Sequence, residues 1–193
     1  MPVTYTNRKG QTYFLCKGTT KTGKPRYYFA RQPQDEPVEQ IPEGYKIIES
    51  VNGLVSLAKD RPSLIQPKEI AAVEAQVGKH RKSRRYRVVA KHDRIEVYEM
   101  SGPEADNLMA IFGPFVASPP GIKDRIEAEL ERSGRFSAVL RFILVDQEER
   151  TFRAQRWCYL GSIDDWIDVD YGSIQKLASR MIPVLGTDGY YEL

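Results

Sequence analysis

The chain has 193 residues, 41% hydrophobic and 28% charged, with a formal net charge of +3, which fits ordinary globular usage and argues against disorder. Its most apolar run, Val139 to Val145, is interrupted by Arg141 and is far too short for a membrane span, and the opening residues predict no secretion signal. Cys16 and Cys158 lie far apart without CxxC companions, which suits two reduced thiols in a cytoplasm and disfavours a disulfide framework or four-ligand zinc.

In chain order, "TYFLCK" and "RYYFAR" are aromatic-rich strands separated by the turn "GTTKTGKP". The run "QPQDEPVEQIPEG", with three prolines and four acids, reads as a connecting loop. "YKIIES" and "LVSLAK" then flank Asn52-Gly53, a pair suited to the positive φ of a hairpin turn. Beyond a boundary near "DRPS", Pro67 starts a helix with Ile70, Val73 and Val77 on one face and Gly78 as its stop. "RRYRVVAK" and "RIEVYEM" are strands around His92-Asp93. A short helix carries Ala105, Leu108, Met109 and Phe112, and a clearer one turns Ile122, Ile126 and Leu130 inward before Gly134. "RFSAVLRFILV" and "TFRAQRWCYL" form a hairpin around "DQEER", and a last helix follows the N-cap Ser173 until Pro183 ends or kinks it.

The expected fold is therefore α+β. A small N-terminal antiparallel β-domain (1–62) precedes a larger domain (63–193) of helices packed on antiparallel sheet. "VEAQV" and "IEAEL" each lie in a helix followed by a hairpin, which is compatible with two α-β-β units over about 65–100 and 121–160.

Charge is strongly segregated. Residues 1–31 hold seven Lys or Arg and no acid, and Lys79 to Arg94 hold eight Lys and Arg against Asp93 alone. "GSIDDWIDVDYG" is acidic and contains no base. Such blocks create local fields that the net charge conceals. If "RRYRVVAK" is extended, Arg85, Arg87, Val89 and Lys91 share a face, joined by Lys79, Arg81 and Lys82 from the preceding loop. The first hairpin adds Lys17, Lys21, Lys24 and Arg26 beside Tyr27 and other aromatics. Cations that track phosphates and aromatics that stack on bases suffice for sequence-independent binding of RNA or DNA. The competing readings are charge pairing within the fold and a solvated surface.

Other motifs are weaker. "GTTKTGKP" approaches a phosphate-binding loop but has Pro25 where a hydroxyl is needed, and a strand follows where a helix is needed. His80 and His92 flank eight extended residues, about 26 Å, too far for a shared site. In the Asp164–Asp170 cluster, Asp168 and Asp170 would point to one side of an extended "WIDVD", as magnesium-binding carboxylates of a nuclease must. A solvated loop leading into the last helix is the alternative. Arg153, Gln155, Trp157 and Tyr159 would form one face of the second hairpin, opposite Phe152, Ala154, Arg156, Cys158 and Leu160.

The words "YTNRKG", "KTGKPRYYF" and "IPEGY" resemble those opening a group of uncharacterised bacterial proteins, over roughly residues 3–60. The resemblance implies a bacterial cytoplasmic protein whose aromatic and basic hairpin is a recurring module, and carries no activity. The leading expectation is a non-enzymatic nucleic-acid-binding protein needing no cofactor. Alternatives are a magnesium-dependent nuclease, or a protein–protein module that includes pairing with a second copy of itself.

Overall fold

The computed structural model describes residues 1–33, 35–112, 121–159 and 164–193. They form an α+β fold of antiparallel sheets and helices, arranged as two compact units, Met1–Arg61 with Glu104–Gly134 and Pro62–Pro103 with Arg135–Leu193. Among the described residues no helix is long and apolar enough to cross a membrane.

In the first unit β1 (Thr4–Thr6), β2 (Thr12–Thr19) and β3 (Pro25–Ala30) are consecutive antiparallel neighbours, and the short β4 (Glu36–Pro37) also pairs with β2. Tyr13, Leu15 and Cys16 are the buried positions of β2. A separate hairpin joins β5 (Tyr45–Glu49) to β6 (Val55–Lys59). At its turn Gly53 alone takes positive φ, at 79°, while Asn52 does not. Asn7 ties the two hairpins together. Its side chain accepts the amides of Lys9 and Gln11 at 3.0 and 2.9 Å and donates to the Gly53 carbonyl at 2.6 Å. Helices α2 (Ala105–Phe112) and α3 (Ile122–Ser133) pack on each other in this unit. Ile122, Ile126 and Leu130 are only half-buried, and Gly134 caps α3 as its spacing predicts.

The second unit is built on one antiparallel sheet in the order β11-β10-β9-β8-β7. Its strands are β7 (Tyr86–Ala90), β8 (Arg94–Ser101), β9 (Arg135–Asp146), β10 (Thr151–Tyr159) and β11 (Asp164–Gly172). Alternation sends Ile95, Val97, Leu140, Phe142, Phe152 and Ala154 to one face, where all are fully buried. Helices α1 (Pro67–Lys79) and α4 (Ile174–Met181) cover that face, α1 with Val73 and Val77 and α4 with Ile174, Leu177, Ala178 and Met181. The α-β-β order does recur along the chain, but α1 packs in this unit and α3 belongs to the other. Helix α1 runs through Gly78, whose φ stays helical, and ends at Lys79. After α4, Pro183 lies in a 3-10 turn, Ile182–Val184.

One buried ion pair fixes how α1 meets the sheet. Glu69, 2% exposed, accepts the Gln66 amide at 2.8 Å and so caps the helix start. Both its oxygens also take the Arg150 guanidinium, Nε at 2.9 Å and Nη2 at 2.6 Å. Arg150 reaches it from the β9–β10 turn with φ of 51°, in the left-handed region that non-glycine residues seldom adopt. Arg150→Ala is expected to cost about 3–5 kcal/mol, because it strands a buried carboxylate, read as a shift of the urea unfolding midpoint. Glu69→Gln should cost less, since it removes the charge along with the pairing.

Candidate nucleic-acid interface

The β2–β3 hairpin brings together the first set of cations predicted from sequence. Lys17 stands opposite Tyr27 in register, so the two share a face, while Arg26 and Tyr28 share the other. The Arg26 guanidinium lies 5.8 Å from the centre of the Tyr28 ring. Lys21 and Lys24 sit in the connecting turn, where Thr20 and Lys24 exchange backbone and side-chain hydrogen bonds and Gly23 takes φ of 79°. "GTTKTGKP" is thus a hairpin turn between strands. Lys17, Lys21, Lys24 and Arg26 are all exposed, and none has an ion-pair partner among the described residues. Glu36 is opposite Lys17 across β4 but forms no ion pair with it. Asp35 instead accepts from the Tyr28 hydroxyl, and that bond, with burial, pushes the phenol up to about 12.

The basic run at 79–94 is arranged differently. Ser83–Arg85 forms a 3-10 turn and the strand begins only at Tyr86, so Arg85 does not alternate with Arg87, Val89 and Lys91 on one face. Arg85 donates from Nη2 to the carbonyls of Met100 at 2.5 Å and Gly102 at 3.2 Å. Arg87 donates to the carbonyls of Arg84 and Tyr86 and lies 5.3 Å from the centre of the Phe136 ring. Lys91 and Arg94 each bind Glu96 at 2.7 Å, and Arg94 also holds Asp93. His80 is buried; its Nδ1 accepts the Lys82 amide at 3.1 Å, which leaves Nε2–H to donate to the Leu185 carbonyl at 3.2 Å. His92 donates from Nδ1 to the Pro62 carbonyl. Within this run Lys79 and Arg81 are exposed and without an ion-pair partner among the described residues.

Across the sheet face opposite α1 and α4, four polar residues stand in lateral register: Glu96, Arg141, Gln155 and Asp168. Gln155 accepts from Arg141 Nε at 2.6 Å and donates to Asp168. Arg141 lies 4.1 Å from the centre of the Trp166 ring, which meets Trp157 edge-on at 5.3 Å. Glu96, 4% exposed, accepts from Lys91, Arg94 and Tyr98. Burial raises its carboxyl, but those hydrogen bonds outweigh burial and hold it below the ordinary 4.5. The Gln155 hydrogen bond likewise lowers Asp168.

The acidic run is a strand, and its alternation is broken. Ala154 pairs with Asp170 and Gln155 with Asp168, so a bulge at Val169 puts the two aspartates on opposite faces. Asp168 joins the polar row and accepts from Tyr171 at 3.1 Å, while Asp170 binds Arg180 of α4 at 2.5 Å. The shared side that magnesium would require is absent, and no cluster of three or more His, Cys, Asp or Glu among the described residues is placed to hold a metal. Arg153, Gln155 and Trp157 share a face as alternation predicts, and Leu160 lies outside the described residues.

No family model matches the chain, and neither a curated protein nor a solved structure is similar to it. Sequence reasoning missed Asn7, Glu69, Glu96 and Arg150. Of these only Glu69 carried a usable signal, as the acid three residues after Gln66, which precedes the Pro-initiated helix.

The Glu96 network should show in acid unfolding. Because the folded carboxyl titrates below its unfolded value, its contribution is complete above pH 4.5 and is lost as pH falls through the folded value. Glu96→Gln should therefore lower stability at pH 7 yet flatten its decline as pH falls below 4.5, measured as urea midpoints at each pH.

Proposed function

We propose that the chain binds nucleic acid without reading its sequence, through the outer half of the β2–β3 hairpin. The observation that supports this reading is the contrast between the two basic segments. Arg85, Arg87, Lys91 and Arg94 of the 79–94 run are engaged with carbonyls, carboxylates and a ring of their own unit, whereas Lys17, Lys21, Lys24 and Arg26 project from one hairpin with none of them ion-paired among the described residues. Exposed cations release counterions from phosphates, and the half-buried Tyr27 beside Lys17 offers a ring on which a base can stack. Lys79 and Arg81 extend the same chemistry on the second unit as a secondary contact. Arg85, Arg87 and Lys91 then serve chiefly to shape that unit. The reading gives the protein a binding role and no catalytic one, and Asp168 and Asp170 act as structural acids in it.

The test is binding to fluorescent single-stranded RNA and duplex DNA over a salt series. Four phosphate contacts predict a loss of affinity of about 50-fold for a single strand between 50 and 200 mM salt. Reversing Lys17, Lys21, Lys24 and Arg26 to Glu should abolish binding while the unfolding midpoint barely moves. Arg85→Glu with Arg87→Glu should instead lower stability first. If the wild-type chain binds neither nucleic acid at 50 mM salt, the proposal fails.

A further inference from the structure

Each strand cation of the β2–β3 hairpin has a tyrosine ring beside it, and the two pairs lie on opposite faces. Lys17 stands opposite Tyr27 in register, and Arg26 shares the other face with Tyr28. Both rings are half-buried, so each is anchored in the hairpin and still reaches solvent.

The Tyr28 ring is held at its outer end. Its hydroxyl donates to Asp35, and the carboxylate fits there because the neighbouring strand residue is Gly18. A Cβ at Gly18 would lie 2.7 Å from Asp35 Oδ2 and 3.4 Å from Cε1 of the Tyr28 ring. A side chain at that position would displace the carboxylate or the ring, and a close approach of this kind is what a strand glycine permits. Arg26 stands 5.8 Å from the centre of the ring, well beyond the 4.1 Å of Arg141 on Trp166. A guanidinium packed directly on the ring would shut out a base. Arg26 is instead exposed, with no hydrogen bond or ion pair among the described residues to hold it over the ring. The Asp35 carboxylate repels a phosphate from the hydroxyl end of Tyr28 and leaves it to Arg26.

A nucleotide of an unpaired strand offers one phosphate and one free base face, and a cation beside a ring meets both. A duplex offers phosphates to the same cations but keeps its bases stacked and paired inside, out of reach of either tyrosine. Given nucleic-acid binding at this hairpin, on which the selectivity rests, we infer that the hairpin selects single strands over duplex, with Tyr27 and Tyr28 each taking a base beside the cation that takes a phosphate. Asp35 and Gly18 are positioning residues in this arrangement, since they fix the Tyr28 ring without touching the ligand.

The experiment measures fluorescence anisotropy of the full chain with unstructured single strands of RNA and of DNA, and with a DNA duplex of the same length, over a salt series. At 50 mM salt both single strands should bind at least about tenfold more tightly than the duplex. Tyr27→Leu and Tyr28→Leu keep apolar packing and remove a ring. Each should weaken single-strand binding about fivefold or more, leave duplex binding unchanged, and leave the salt slope unchanged because no phosphate contact is lost. Lys17→Ala should instead reduce the single-strand salt slope by about 0.7. Tyr28→Phe keeps the ring but frees it from Asp35, and should fall between the wild type and Tyr28→Leu. Duplex bound as tightly as the single strands overturns the selectivity. So does single-strand affinity that the folded tyrosine variants leave intact, and either variant decides if the other does not fold. In both cases a salt slope still reduced by Lys17→Ala leaves phosphate binding at the hairpin standing. Absence of binding to all three nucleic acids at 50 mM salt removes both.

Discussion

The Glu69–Arg150 pair is the constraint on which the second unit depends. It is the point where the start of α1, the approach to that helix at Leu64 and the β9–β10 turn are held by one side chain, since Arg150 Nη2 also donates to the Leu64 carbonyl at 3.1 Å. A carboxylate this buried is tolerated only when it is paired and hydrogen-bonded, and here the amide at the helix start and a two-pronged guanidinium supply three donors. The left-handed backbone of Arg150 is part of the same arrangement, because it turns the side chain back toward the helix. With α1 fixed, α4 has a surface to pack on, and the two helices together close the apolar face of the sheet.

The chain uses its positive charge in two ways that composition cannot separate. On the second unit, arginines act as donors to backbone carbonyls and as covers for rings, as Arg85 does at Met100 and Arg87 at Phe136. Such arginines are structural even where they reach the surface. On the β2–β3 hairpin, lysines stand on a turn with no acid bound to them among the described residues. A local net charge of +7 at 79–94 therefore says less about partners than a smaller number of cations at the hairpin does.

The fold class and most elements were legible in the sequence because period, turn residues and caps agreed. Alternation marked β9 and β10, Pro67 marked α1, and Gly53 marked the β5–β6 turn. Places where a local rule met a tertiary one were not legible. The "RR" that opens "RRYRVVAK" reads as the start of a strand but lies in the 3-10 turn Ser83–Arg85, where Arg85 finds a carbonyl from β8. "WIDVD" reads as extended, but the bulge at Val169 splits its acids between faces, and register is a property of the pair of strands. For the hairpin the exposed cations could be named from sequence, and their lack of ion partners could not. A cavity between β8, β9, β10 and the turn after α4 was invisible from sequence, since its lining comes from five separated segments.

The position of β11 gives the acidic run a role of its own. It is the last strand of its sheet among the described residues, so one row of its backbone groups has no neighbouring strand there. Open rows of this kind invite pairing with another chain. Asp164, Asp165 and Asp168 are exposed along it, and the bulge at Val169 bends its course. A second copy approaching in register would bring like charges together at several positions and meet a strand that is not straight. Repulsion and curvature together thus disfavour growth of the sheet by addition of its own kind.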